Sequence, residues 1–193
     1  MDVTNMPLIV APEDYEWFVL FAICVAGKSA EQTKKKLNQL LDWCAFEGQT
    51  PFQAINNEVN DGTLGRTLQL FKIGQYKRIE KAFEAVILLD VATDLTVEKL
   101  EAIPGIGPKT ARFIVLYTDP ESNCVPLDTH ILKFLKLAYP FEKIPKSTPQ
   151  KGKQYARLEK MFQDEADRQG KSVRSLDTEV WQYFSEAHKA KKS

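Results

Sequence analysis

The segment LEAIPGIGPKTA at residues 100–111 decides how this chain is built. Its two glycines, Gly105 and Gly107, lie among prolines, and such a cluster of helix breakers predicts a tight hairpin. Helical patterns flank it: Thr96–Leu100 is predicted as a short helix, and a second helix is predicted over Lys109–Tyr117. The segment is therefore predicted to form a helix, a hairpin and a helix.

The glycines of this hairpin bear on what it binds. Gly105 and Gly107 allow backbone conformations with positive φ, and their lack of side chains lets the backbone lie against a ligand. The second helix begins with unpaired N–H groups and the positive end of its dipole, which together favour a phosphate. A DNA strand bound in this way is held by its backbone without being read by sequence.

Three other interpretations of the hairpin compete with this one. It could be a corner between two helices that binds no ligand. It could be a nucleotide phosphate loop, but that motif needs a preceding strand and a glycine directly before its lysine, whereas Pro108 precedes Lys109 here. It could also be a DNA-binding hairpin in a protein without catalytic activity, which the hairpin alone does not exclude.

A second motif, VPLDTHI at residues 125–131, follows the hairpin at short range. Together with residues 100–111 it closely resembles the paired signature of the endonuclease III branch of the helix-hairpin-helix (HhH-GPD) DNA glycosylase superfamily. The resemblance implies an all-α fold of two helical lobes. It places Lys109 at the catalytic lysine position and Asp128 at the catalytic aspartate position, and makes the hairpin glycines DNA-binding residues.

The activity implied by this resemblance is base-excision repair by a DNA glycosylase with associated lyase activity. Such an enzyme flips a damaged base out of the duplex, cleaves its N-glycosidic bond and nicks the strand through a Schiff base on lysine. Oxidised pyrimidines are the favoured substrates; the alternatives are an oxidised-guanine glycosylase, a monofunctional glycosylase and a non-catalytic DNA-binding protein. The expected partner is double-stranded DNA with a damaged base or an abasic site, bound by an intracellular monomer in the cytoplasm or nucleoid.

The residue types at the two catalytic positions suit this chemistry independently. Cleaving the N-glycosidic bond builds positive charge on the sugar, which a nearby carboxylate stabilises. A neutral lysine amine can attack the sugar carbon, and burial and the amino end of a helix both lower a lysine pKa. Each residue also has a simpler interpretation: Lys109 as a phosphate contact and Asp128 as a helix N-cap.

Two features depart from the family pattern. Endonuclease III relatives carry four cysteines near the carboxyl end that hold an iron–sulfur cluster, whereas this chain has three in all, Cys24, Cys44 and Cys124. No iron–sulfur cluster, other metal site or cofactor is therefore expected. After the predicted central helix, Lys28 either reaches the gap left by a flipped base or faces solvent. Gln75 replaces an apolar wedge and is predicted to fill the space beside the flipped nucleotide.

The charge of the chain is balanced, with 26 Lys and Arg against 26 Asp and Glu, so a DNA-binding face must gather basic residues locally. The longest apolar run, residues 18–26, is too short to span a membrane. The tract 143–160 is the basic candidate, because Glu159 is its only acid. It contains Lys143, Lys146, Lys151, Lys153, Arg157 and Lys160. Of these, Lys151 and Lys153 are predicted to contact DNA.

Helical periodicity along nearly the whole chain predicts an all-α fold. Helix starts are predicted at Pro12, Ser29 and Thr50, and two carboxyl-terminal helices over about 149–168 and 176–189. One lobe is predicted to comprise residues 29–133, with the wedge loop and the hairpin. The other comprises residues 1–28 plus 134–193 and replaces the missing cluster.

Overall fold

The computed structural model describes residues 10–150 and 152–190, the last five of these by their backbone alone. Within these ranges all regular secondary structure is helical, which confirms the all-α prediction. A single 3-10 turn, Pro12–Asp14, leads into the first helix. The helices of the described residues are α1 (Tyr15–Val25), α2 (Ala30–Cys44), α3 (Pro51–Asn60), α4 (Leu64–Leu70), α5 (Tyr76–Val86), α6 (Val97–Glu101), α7 (Pro108–Thr118), α8 (Thr129–Ala138), α9 (Lys153–Arg168) and α10 (Val173–Ala190).

Local capping explains where several of these helices begin. The Thr50 hydroxyl accepts a hydrogen bond from the Gln53 N–H, and the Gln53 side chain accepts one from the Thr50 N–H, so α3 has a complete capping box. The Thr96 hydroxyl accepts from the Lys99 N–H at the start of α6. The Ser29 hydroxyl caps α2 at the longer distance of 3.5 Å. These predicted starts are confirmed.

The structure differs from the sequence-based expectation at the starts of three helices. Helix α4 was not predicted; it begins at Leu64 without a side-chain cap, so no local signal marked it. Helix α9 begins at Lys153 rather than near Pro149, and α10 begins at Val173 rather than near Leu176. Helix ends of this kind depend on tertiary packing as much as on the pattern of apolar residues.

Helix α1 lies at the centre of the core, as its dense apolar sequence predicted. Residues 18–24 are all buried, and the helix packs against α2, α3, α5 and α7. The Trp17 ring stacks on Phe21 with centroids 5.1 Å apart, and the indole N–H donates to Asn38 at 2.8 Å. Toward the carboxyl end, α10 packs on α8 and α9. Where the two predicted lobes divide stays a prediction, since α1 contacts helices of the other lobe extensively.

The hairpin before α7 is fixed in position by the packing of that helix. Helix α7 packs on both α1 and α6, so the hairpin joining α6 to α7 is held against the core. The starts of α7 and α8 and the packed face of α10 carry the candidate site described below. Among the described helices, none combines the length and the apolar character needed to cross a membrane.

Candidate functional site

The two hairpin glycines have different surroundings. Gly105 has a φ of +96°, and a Cβ added there would lie 2.6 Å from the backbone oxygen of Arg78. Its missing side chain is therefore required by the packing of the hairpin against α5, and its role as a DNA-binding residue stays a prediction. Gly107 is the N-cap of α7, and a Cβ there would meet nothing within 4 Å. Gly107 alone fits the expected open approach to the backbone.

Lys109 is the second residue of α7 and is partly buried. Its ammonium nitrogen lies 5.8 Å from the centroid of the Phe113 ring, one turn further along the helix. The Phe113 ring in turn meets the Tyr117 ring edge-on, with centroids 5.2 Å apart. Lys109, Phe113 and Tyr117 thus form one continuous face of α7, because residues four apart lie above one another on a helix.

Asp128 is the N-cap of α8, one position before the helix rather than in its first turn as predicted. Its Oδ1 accepts hydrogen bonds from the His130 N–H at 2.8 Å and the Ile131 N–H at 2.9 Å. The simpler interpretation of Asp128 as a cap is therefore correct. Because both bonds fall on Oδ1, Oδ2 takes no part in the cap.

Two residues of α9 hold the segment before Asp128 in place, and neither was predicted. The Tyr155 hydroxyl donates to the Val125 carbonyl at 2.8 Å. The Glu159 Oε1 accepts from the Val125 N–H at 2.9 Å and from Arg112 Nε, on α7, at 3.0 Å. This carboxylate therefore joins the loop that precedes Asp128 to the helix that carries Lys109.

Asp177, on α10, is a further site residue that the sequence analysis missed. Its Oδ2 accepts a hydrogen bond of 2.8 Å from the Tyr117 hydroxyl. Burial raises the pKa of Asp177 to about 7; the Tyr117 hydrogen bond opposes that rise, the charge of Asp128 adds to it, and the charge of Lys109 opposes it. Lys109 and Asp128, 19 positions apart in sequence, thus both lie within electrostatic reach of this one carboxylate.

The loop between α4 and α5, residues 71–75, contains the first part of the wedge segment predicted at 73–77 and has an unusual backbone; it is called the wedge loop below. Lys72 and Gln75 both have a φ of +52°, a left-handed conformation that few residues other than glycine adopt. Positive-φ residues of this kind cost free energy and cluster at functional sites. The Gln75 side-chain N–H donates to the Ala26 carbonyl at 3.4 Å, so this side chain lies beside the end of α1.

Two lysines bind the carbonyl groups of this loop. The Lys28 ammonium donates to the Ile73 carbonyl at 2.6 Å, and the Lys36 ammonium donates to the Lys72 carbonyl at 2.9 Å. Lys28 thus holds the loop instead of facing solvent or reaching freely into a gap, and burial lowers its pKa. The two lysines line a recess of about 270 Å³ with Ser29, Gln32, Thr33 and Ile73.

Arg78, which the sequence analysis also missed, connects three parts of the site. Its guanidinium donates to the Gln75 side-chain oxygen at 2.5 Å, to the Gly105 carbonyl at 2.7 Å and to the Ile23 carbonyl at 2.8 Å. The wedge loop, the hairpin and the central helix are therefore joined by a single side chain. Burial lowers the pKa of this guanidinium, which nevertheless stays charged at neutral pH.

The basic tract is less positive in three dimensions than in sequence. Arg157 pairs with Glu142 at 2.9 Å, just outside the tract, and Lys160 pairs with Asp164. Lys153 is exposed at the first position of α9, and Lys151 lies outside the described residues. Glu142 and Asp164, which lie outside residues 143–160, therefore supply two acidic partners in addition to Glu159 within the tract.

A four-thiolate cluster does not fit this chain. Three cysteines are present in the whole sequence, and Cys24 and Cys44 are buried in the core. Within the described part of the chain, no group of three or more His, Cys, Asp and Glu side chains is arranged to hold a metal ion. The absence of iron stays a prediction, which elemental analysis of the purified protein tests.

Compared with protein-family models, curated proteins and solved structures, the chain shows no significant match to any of them.

Proposed function

We propose that this protein is a base-excision-repair DNA glycosylase with lyase activity, with Lys109 as nucleophile and Asp128 as the stabilising carboxylate. The observation that carries the proposal is that Glu159 binds both the Val125 N–H, in the loop before Asp128, and Arg112, on the helix that carries Lys109, so that the two motif segments are fastened to each other.

The proposed reaction divides between the two residues. The Lys109 amine attacks C1′ of the damaged nucleotide; the N–C1′ bond forms, and the glycosidic bond breaks with its electron pair leaving on the base. Positive charge develops on the sugar as that bond lengthens, and the free Oδ2 of Asp128 stabilises it. The attached nitrogen then gives up a proton, the C1′–O4′ bond breaks and O4′ takes up a proton, so that the opened sugar carries an imine on Lys109. This imine permits loss of a C2′ proton and of the 3′ phosphate, which nicks the strand.

DNA contact is proposed at three places. The Gly107 side of the hairpin and the amino end of α7 bind the backbone near the target nucleotide. The wedge loop, with Gln75, fills the space that the extruded nucleotide leaves. Lys146, Lys151 and Lys153 add non-specific contacts to phosphates. The strained, firmly held wedge loop supports this assignment, since filling a gap in a base stack needs a side chain that stays in place.

Oxidised pyrimidine is the proposed lesion class, following the family signature, and a monomer acting in a cleft between two helical lobes is the proposed form. Oxidised guanine is the alternative within the enzyme class. A panel of duplexes carrying single lesions, assayed for strand nicking, distinguishes the two.

Borohydride trapping on abasic-site DNA tests the proposal. The unmodified protein should form a covalent complex after reduction, and Lys109→Ala should abolish it while leaving DNA binding largely intact, because the hairpin backbone is unchanged. Lys81→Ala, at an exposed position of α5, is the matched control and should trap normally. Trapping by Lys109→Ala would overturn the assignment of the nucleophile, and DNA binding without trapping by any form would favour a non-catalytic hairpin protein.

A further inference from the structure

A recess beside the wedge loop has no role in the function proposed above. It measures about 270 Å³, lies between the start of α2 and the loop, and has Lys28 and Lys36 among its lining residues. The Lys28 ammonium donates to the Ile73 carbonyl at 2.6 Å. The Lys36 ammonium donates to the carbonyl of the preceding residue, Lys72, at 2.9 Å. Because a lysine ammonium has three N–H groups, each of these two lysines keeps two for another acceptor.

No carboxylate of the described residues neutralises the positive charge at this recess. Neither Lys28 nor Lys36 takes part in any of the ion pairs found within that part of the chain. Glu31, in the first turn of α2, is exposed and does not line the recess. Two partly buried cations without an acidic partner favour an anionic ligand, because charges attract more strongly where they are less exposed to water.

Thr33 adds a polar group that the protein itself does not use. The residue is only 5% exposed and lines the recess, and its hydroxyl makes no hydrogen bond with any other described residue. A buried hydroxyl without a partner costs free energy, which a bound acceptor would recover. The Ser29 hydroxyl, also at the recess, caps the Gln32 N–H at the long distance of 3.5 Å, so the first turn of α2 is weakly capped.

The polar groups at the recess determine which ligand fits it. Two ammonium groups, one unused hydroxyl and the weakly capped amino end of a helix of 15 residues can all donate hydrogen bonds. A phosphate group carries negative charge and presents several oxygens in different directions, so it can accept from all of them at once. These donors come from two segments, the end of the loop after α1 and the first two turns of α2.

We propose that this recess binds one phosphate of the DNA backbone, next to the gap that the wedge loop fills. The inference rests on the proposed function, which makes DNA the partner. Lys28 and Lys36 bind the phosphate and the loop carbonyls at the same time, so the DNA strand and the wedge loop are held by the same two side chains. The strand is thereby fixed relative to Gln75, which belongs to this loop.

Neutralising the phosphates one at a time locates the contact. A series of duplexes with an abasic-site analogue carries an uncharged methylphosphonate at a single backbone position in each, and the Kd of every duplex is measured. Lys36→Gln should bind the unsubstituted duplex roughly tenfold more weakly, which is the lower range for a lost charge-assisted hydrogen bond. At one backbone position, the methylphosphonate should weaken binding by the unmodified protein but no longer by Lys36→Gln, since both changes remove the same contact.

Two further variants separate phosphate binding from a structural role. Thr33→Val keeps the shape of the side chain and removes a hydroxyl that bonds to no described residue, so the melting temperature should not fall. Its DNA binding should weaken roughly threefold to tenfold, as for one lost hydrogen bond. Lys35→Gln removes the same charge from an exposed neighbouring position outside the recess, and should stay sensitive to the same methylphosphonate. Thr33→Val remains informative if Lys36→Gln folds poorly.

Melting in inorganic phosphate, compared with chloride at equal ionic strength, distinguishes the source of the phosphate. Stabilisation that Thr33→Val abolishes, without any methylphosphonate position coupled to Lys36, would assign the recess to free phosphate and overturn the DNA contact. Unchanged DNA binding in both Thr33→Val and Lys36→Gln would also overturn it. These measurements need no catalysis, so a failure of borohydride trapping would overturn the proposed lyase activity alone, while the coupling still decides the role of the recess.

Discussion

In Asp128, Oδ1 accepts the hydrogen bonds that cap α8, and Oδ2 is proposed to stabilise the charge on the sugar. The two roles can therefore be separated by substitution. Asparagine caps a helix about as well as aspartate, and Asp128→Asn should barely change the melting temperature. It removes the charge that stabilises the developing sugar cation, and base release should slow by roughly a hundredfold or more. Asp128→Ala is the matched variant: it loses the cap too and should also cost about 1 kcal/mol of stability. An activity loss in Asp128→Asn that follows its loss of thermal stability would contradict the catalytic role.

Asp177 gives the stability of the protein a distinctive pH dependence. Its pKa is about 7 in the folded protein, whereas an aspartate in an unfolded chain titrates near ~4. Between these values the folded state holds a proton that the unfolded state has lost, so this residue's contribution is greatest below about pH 4 and is lost as the pH rises through 7. Relative to Asp177→Asn, the unmodified protein should therefore lose up to about 4 kcal/mol across that interval. Denaturant titrations at pH 4.5, 6 and 7.5 measure it, and parallel curves for the two proteins would show an unshifted carboxylate.

The residues that the sequence analysis missed are those whose roles arise from distant contacts. Arg78 lies on an amphipathic helix where an exposed arginine is ordinary, and its carbonyl partners come from Ile23 and Gly105, far away in the chain. Asp177 is one of many polar residues of α10, and its hydrogen-bond partner Tyr117 lies 60 positions away on α7, so no local pattern marks it. Lys109 and Asp128 were predictable because a local motif marks each of them.

At the scale of the hairpin, the two glycines form a matched pair. Gly105→Ala requires a Cβ at a φ of +96° and 2.6 Å from a backbone oxygen of α5, and backbone strain of this kind costs about 1–3 kcal/mol. Gly107→Ala meets open space at an ordinary negative φ, so its stability loss should be smaller, but its methyl group lies where a phosphate is proposed to bind. Thermal melts and DNA-binding titrations of both variants check this. If the two variants lose DNA binding in the same proportion to their loss of stability, Gly107 does not contact DNA.

The wedge loop makes a prediction that depends on the form of the DNA. Gln75→Ala removes the side chain proposed to occupy the gap in the base stack, together with its bond to Arg78. Excision from duplex DNA should slow much more than excision from single-stranded DNA, where no stack has to be opened. Glu84→Ala, at an exposed position near the other end of α5, is the control and should leave both rates unchanged. An equal loss of excision rate on duplex and single-stranded DNA would show that Gln75 does not fill the gap in the base stack.

Element starts with a capping side chain were predictable, and those without one were not. Thr50, Thr96 and Pro108 each fix the start of a helix through bonds or backbone geometry within three residues, so sequence alone contains the needed information. Helix α4 has no such signal and follows from its packing on α3 and α5. The loop between α8 and α9 is longer than predicted because α9 begins at Lys153 rather than near residue 149. The pattern of apolar residues does not mark this start.

At the scale of the whole molecule, the positive and negative charges balance, so DNA binding depends on where cations without an acidic partner lie. Lys146 and Lys153 have no acidic partner within the described residues, whereas Arg157 is already paired with Glu142. Neutralising Lys146, Lys151 and Lys153 together should weaken binding to all DNA sequences alike and reduce the dependence of log K on log salt by about 0.9 per lost phosphate contact. Arg157→Ala should change that slope less. An unchanged slope in the triple variant would indicate that this tract is only a solvated surface.

The single guanidinium of Arg78 also limits which sequences this fold tolerates. Arginine presents a planar fork of donors, and here it serves three acceptors from three segments; lysine offers a point charge on a flexible stem and cannot span them together. An Arg78→Lys exchange, conservative by most substitution scores, would leave the loop proposed to enter the base stack and the hairpin proposed to bind the DNA backbone free to shift relative to each other. Mutational tolerance at residue 78 should therefore be far lower than its place on the surface of α5 suggests, and a saturation library selected for repair activity should retain arginine there almost alone.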